Sequence, residues 1–127
     1  MRGVRQEKLN DLVRITSRLR ESLALPLDSV VRDSAILRFE LAFEVAWKTV
    51  QQFAREQGFE VNSPRQAFER AFLLGWITDE ILWEQMLAAR NMAVHVYREE
   101  LADRLHKALP SFLRGLMELA QNLGKVP

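Results

Sequence analysis

Apolar residues recur at spacings of three and four along nearly the whole chain, the signature of helices with one buried face. In the first segment Leu9, Leu12, Leu19 and Leu23 keep this spacing, with arginines on the opposite face. Pro26 ends it, because proline lacks an N–H and disfavours a helical residue before it. A second helix starts at Asp28 or Ser29 as N-cap and runs to Gln57, where Gly58 supplies the stop. At about 29 residues it would be roughly 43 Å long. Val30, Val31, Ile36, Leu37, Leu41, Phe43, Val45, Trp47, Val50 and Phe53 cover more than one of its faces. That pattern predicts an element buried on several sides, the central helix of a bundle or of a dimer.

Three more helices follow. Ser63-Pro64-Arg65-Gln66 places a cap, a proline at the first helical position and the glutamine of a capping box in order. The third helix is short and ends before Gly75. Thr78-Asp79-Glu80 caps a fourth, with acids in its first turn to suit the macrodipole, which carries Ile81, Leu82, Met86 and Leu87 on towards Arg90. A fifth runs from about Glu99 to Leu123, bent or restarted at Pro110 and stopped by Gly124. With no alternating strand pattern, repeat or linker, the expectation is one all-α domain over residues 1–127, an up-and-down bundle of about five helices.

Composition narrows the chemistry. The chain has 127 residues, 18 basic against 17 acidic side chains, no cysteine and two histidines. Without cysteine there is no disulfide, thiolate metal site or cysteine nucleophile. A net charge of +1 gives no long-range field for gripping nucleic acid, so any such affinity must be local. No apolar run is long enough for a membrane span, and Glu7 and Asp11 spoil any secretory leader, so a cytoplasmic protein is expected. His95 and His106 show no metal-ligand spacing, and glycine-rich phosphate loops are absent, so neither metal nor cofactor is expected. Glu40 and Glu44 read most simply as a solvated helix face beside Arg38 and Lys48. His106 reads as a surface residue, and Trp47, Trp76 and Trp83 as core or interface aromatics.

One stretch gathers functional groups: Arg90-Asn91-Met92-Ala93-Val94-His95-Val96-Tyr97. A histidine near neutrality moves protons and an arginine holds a phosphate through two donors. Together they can cleave RNA without a metal. His95 would act as base on the ribose 2′-OH or acid on the leaving oxygen, while Arg90 stabilises the pentavalent phosphate. On a regular helix Arg90 and His95 lie about 140° apart and cannot share a face. Either the helix ends or distorts between them, or a second copy of the chain completes the cleft across a two-fold axis. The plainer reading of the same string is a hydrogen-bonded cluster at a helix end.

The segment from Ile36 to Tyr97 resembles the HEPN superfamily. In particular it is similar to the small all-α nucleotidyltransferase substrate-binding proteins encoded beside minimal nucleotidyltransferases (MNT). The matching residues are Arg38-Phe39-Glu40, Phe43-Glu44 and Trp47-Lys48, then Ser63-Pro64-Arg65, Ala71-Phe72, Gly75-Trp76-Ile77 and Trp83. Last comes R-x4-H-x-Y at Arg90, His95 and Tyr97, with the polar Asn91 after the arginine. The resemblance implies a HEPN-like bundle that dimerises near this motif. It implies that Arg90 and His95, supported by Asn91, form a composite metal-independent ribonuclease site of a toxin, and that a partner MNT silences it by placing AMP on Tyr97. The partners it implies are a second copy, an MNT protein in a heterotetramer or larger assembly, and RNA. The chain itself lacks a nucleotidyl-transfer motif. The alternative within the family is a non-catalytic subunit that presents substrate to the nucleotidyltransferase.

Overall fold

The computed structural model describes residues 2–127. Five α-helices follow one another: α1 (Arg2–Leu23), α2 (Ser29–Glu56), α3 (Pro64–Leu73), α4 (Glu80–Met92) and α5 (Glu99–Gly124). A single 3-10 turn, Ala93–His95, lies between α4 and α5. No strand occurs among the described residues, so the all-α reading holds.

Local chemistry places the boundaries. Asp28 caps α2 by accepting from the Val31 N–H at 2.8 Å, and Gly58, at φ 88°, turns the chain out of it. Ser63 accepts from the Gln66 N–H at 3.2 Å. The Gln66 side chain reaches back one residue further than a standard capping box, accepting from the Asn62 N–H at 2.8 Å. Gly75, at φ 76°, ends the α3 connection, and Asp79 caps α4 through the Leu82 N–H at 3.0 Å. Thr78 takes a different role from the one its position suggests: its hydroxyl donates to Glu118 of α5 at 2.9 Å.

In α5 the restart allowed for at Pro110 does not occur, and Gly124 is not the stop. The helix passes through Pro110 without a break. Pro110 is exposed, so the backbone carbonyl left without a partner one turn earlier can be hydrated rather than forcing a restart. Gly124 belongs to the helix and adopts no left-handed conformation; Lys125 takes the cap position.

The core forms around α2, which touches each of the other four helices. Leu9, Leu12 and Leu19 bring α1 onto it, and Phe39, Phe43, Val50 and Phe53 are fully or almost fully buried. Aromatic rings then link the layers. Phe39 stacks on Phe112 of α5 at 5.2 Å, Phe43 meets Phe68 of α3 at 5.3 Å, and Phe68 meets Trp83 of α4 at 4.4 Å. Such pairs add about 0.5–1.5 kcal/mol each beyond their burial. Trp76 and Trp83 are core residues, whereas Trp47 is only half-buried against the core. α2 is not buried all round: Val30, Leu37 and Leu41, at helical spacing, are 75%, 56% and 48% exposed. That stripe lies beside the edge facing the end of α4.

Candidate functional site

The segment that carries the candidate chemistry begins where α4 gives out. α4 ends at Met92, and the chain tightens into the 3-10 turn before Tyr97 and the start of α5. The regular helix on which Arg90 and His95 would sit about 140° apart therefore stops between them, one of the two arrangements that the spacing calls for. Only Ala93 of the turn is buried; it anchors the segment while Val94, His95 and Tyr97 project outward.

Two ion pairs to α2 bracket this segment. At its start the Arg90 Nη2 donates to Glu44 Oε2 at 3.0 Å, and the guanidinium lies over the Phe43 ring at 5.7 Å. At its end Arg32 of α2 binds Glu99, in the first turn of α5, and Asp103 one turn on, as well as its neighbour Asp33. The bracketed segment runs back along α2 from residue 44 to residue 32, a rise of about 18 Å. Its two ends are thus tied to α2 about three turns apart, while Leu37 and Leu41 between those turns stay about half exposed.

Glu40 and Glu44 differ from the solvated face their spacing suggests. Both are half-buried. Lys48 does pair with Glu44 at 3.5 Å, but Arg38 turns away and donates to the Arg18 carbonyl at 2.6 Å. Burial pushes the Glu40 carboxyl above the usual carboxylate range, and the positive charge of Arg90 pulls it partly back. One carboxylate is therefore committed to Arg90 and a second, more reluctant to ionise, stands one turn away.

His95 and Tyr97 form the outer part of the site. Their rings meet edge to face at 6.0 Å, and the Tyr97 hydroxyl lies 3.5 Å from His95 Nδ1, at the outer limit of a hydrogen bond. With the imidazole proton on Nε2, Nδ1 accepts from the phenol; with it on Nδ1, that nitrogen donates to the phenol oxygen and Nε2 is left as the acceptor. Tyr97 is 76% exposed and open to modification. Asn91 is exposed at the end of α4. No hydrogen bond or ion pair joins Arg90 to His95 among the described residues; each is instead held by its own neighbour. His106 lies on α5, half-buried. No group of three or more potential metal ligands converges among the described residues. No helix among them is long and apolar enough to cross a membrane.

The residues of the site are thus a half-exposed guanidinium with open donors and two carboxylates near it on α2, and, past the turn, an exposed imidazole–phenol pair, carried on a five-helix all-α bundle. A guanidinium with open donors is a group that can hold a phosphate, and an imidazole one that can move a proton. A family model described as "Nucleotidyltransferase substrate binding protein like" matches residues 7–125, and the chain belongs to that family. A crystal structure of a protein from Thermus thermophilus superposes with a TM-score of 0.84 at 33% identity, covering 88% of this chain and 98% of that one. HI0074 from Haemophilus influenzae, described as revealing the fold of a substrate-binding domain of a nucleotidyltransferase, superposes at 0.80 with 22% identity, over 92% and 99% of the two chains. A comparison with curated protein sequences gave no significant match.

Proposed function

We propose that this protein is the HEPN component of a HEPN/MNT pair and a metal-independent endoribonuclease whose activity a partner nucleotidyltransferase controls. The observation that carries the reading is the exposed His95–Tyr97 pair, set immediately after the helix end that holds Arg90. In the proposed reaction the ribose 2′-oxygen forms a bond to the adjacent phosphorus while the bond from phosphorus to the 5′-oxygen breaks. His95 takes the 2′-OH proton. The 5′-oxygen leaves with a proton delivered by a second acid, the His95 of a second copy, and the products are a 2′,3′-cyclic phosphate and a 5′-OH. Arg90 offers donors to the phosphate oxygens as negative charge builds on them.

A homodimer fits this scheme. The exposed stripe of Val30, Leu37 and Leu41 on α2, with Val94 at 70% exposure in the turn, gives an apolar surface beside the site that a second copy would cover. Control by the partner fits the exposure of Tyr97. Its phenolic oxygen would attack the α-phosphorus of ATP on the nucleotidyltransferase, pyrophosphate would leave, and the AMP left on Tyr97 would block RNA with bulk and negative charge.

The family description favours a second reading, a non-catalytic subunit that presents substrate to a nucleotidyltransferase. One experiment separates them. Purified protein incubated with RNA in EDTA is expected to cut it, and His95→Ala is expected to abolish cutting while leaving the oligomeric state unchanged by light scattering. Cutting at full rate by His95→Ala would sink the ribonuclease assignment. A clean wild-type protein that never cuts but forms a stable complex with the MNT protein would establish the second reading.

A further inference from the structure

Arg90 and Glu44 are 46 residues apart in sequence and meet only because α4 returns along α2. Their contact does little for the fold. Both side chains are 36% exposed, and ion pairs this open contribute little to stability. The contact does fix the guanidinium. Glu44 engages Nη2 alone, and Nε and Nη1 have no partner among the described residues. The Phe43 ring supports one face of the group, and that ring is itself wholly buried. Glu44 is braced in turn by Lys48 on the next turn of α2. The result is an arginine held at one corner and on one face, about one-third exposed, with its remaining donors unpaired among the described residues.

We propose that Glu44 is the positioning residue of Arg90, orienting the guanidinium so that its open donors meet a phosphate of bound RNA. The inference rests on the ribonuclease reading for its substrate, and the geometry behind it is independent of that reading. A free arginine at a helix end samples many rotamers, and each hydrogen bond to a phosphate must then restrain it anew. Held by Glu44, it meets the phosphate with that ordering already done, and the effect falls on turnover more than on binding. Removing Glu44 also removes a negative charge beside the phosphate site, so ground-state binding does not weaken. Glu40 does not substitute for it, since its burial disfavours the charged form that an arginine tether needs.

The test compares wild type, Glu44→Ala and Glu44→Gln by RNA cleavage in EDTA and by 15N NMR of the Arg90 side chain, assigned with Arg90→Lys. Glu44→Ala is expected to lower kcat by about tenfold or more with KM unchanged or lower, and to broaden the Arg90 Nε–H signal. Glu44→Gln, which keeps an oxygen acceptor, is expected to recover most of both. A Glu44→Ala protein with wild-type kcat, or with kcat loss that tracks a fall in Tm and a rise in KM, overturns the inference. If wild type cuts no RNA, the ribonuclease reading fails and the Arg90 signal decides alone, with pyrophosphate as the probe: a signal sharp in free wild type, broad in free Glu44→Ala and sharpened there only on pyrophosphate binding supports positioning, and equal line widths in the two free proteins overturn it.

Discussion

Two arginines tie the same stretch of chain to α2, and they are used in opposite ways. Arg32 is 7% exposed and meets three carboxylates, with Nε bound to Asp33 and both terminal nitrogens engaged by Glu99 or Asp103. Those acidic partners hold it firmly in the protonated state. Arg90 is 36% exposed and meets one carboxylate through one nitrogen. A saturated guanidinium has nothing left to offer a ligand and acts as a fastening. A guanidinium left partly open keeps the capacity to bind. The contrast separates architecture from chemistry at the two ends of one short segment, using residues of the same type.

Substitutions can break this contrast at several depths. The largest effect is expected for Phe43→Ala, which empties a fully buried position touching Phe39 and Phe68 and also removes the ring under Arg90. Chemical denaturation should show a loss of about 3–5 kcal/mol. Next comes Arg32→Met, which leaves three converging carboxylates without their counter-charge. Its melting temperature should fall by roughly 3–5 °C, since the three exposed carboxylates can rehydrate, against less than about 2 °C for Arg90→Met. Equal shifts for the two would erase the distinction between fastening and open arginine.

The smallest effect concerns Glu40. Its folded-state pKa is raised, so the folded protein binds that proton more tightly than the unfolded chain does. Stability is therefore lost as pH rises from the ordinary carboxylate pKa through the raised one. Glu40→Gln should remove that loss, with a gain of less than about 1 kcal/mol at pH 7 after allowance for solvent screening. The gain should vanish at pH values low enough to protonate the carboxyl in both states. Urea denaturation at pH 7 and at pH 4 measures the difference; a gain that persists at the lower pH would show that the cause is not ionisation.

The helix plan was legible because its signals are local. Asp28, Ser63 and Asp79 each cap a helix through an N–H three residues on, and Gly58 and Gly75 turn the chain where a side chain would be strained. Pro110 misled because its cost depends on whether the freed carbonyl faces water, a tertiary property. Leu37 and Leu41 count as core on a helical wheel and are half exposed in the structure, since α1, α3, α4 and α5 do not cover every face of α2. The grouping at Arg90, His95 and Tyr97 showed in the spacing of three chemically capable residues. Arg32 and Glu44 could not be found that way. Their partners lie 67 and 46 residues distant, and nothing in a local window marks an arginine or glutamate that will be paired across the fold.

The unequal fastening of residues 91–98 also fixes the direction in which that stretch breathes. Its far end is hung on the saturated Arg32 and the near end on a single hydrogen bond to Glu44. Local opening should therefore start at Asn91 and swing about Glu99. Amide protons of the turn would exchange with solvent sooner than those of the first turns of α5. Exposed His95 and Tyr97 lie between that pivot and the weaker end, so their reach towards a large molecule should be set by how often the single Arg90–Glu44 contact lets go.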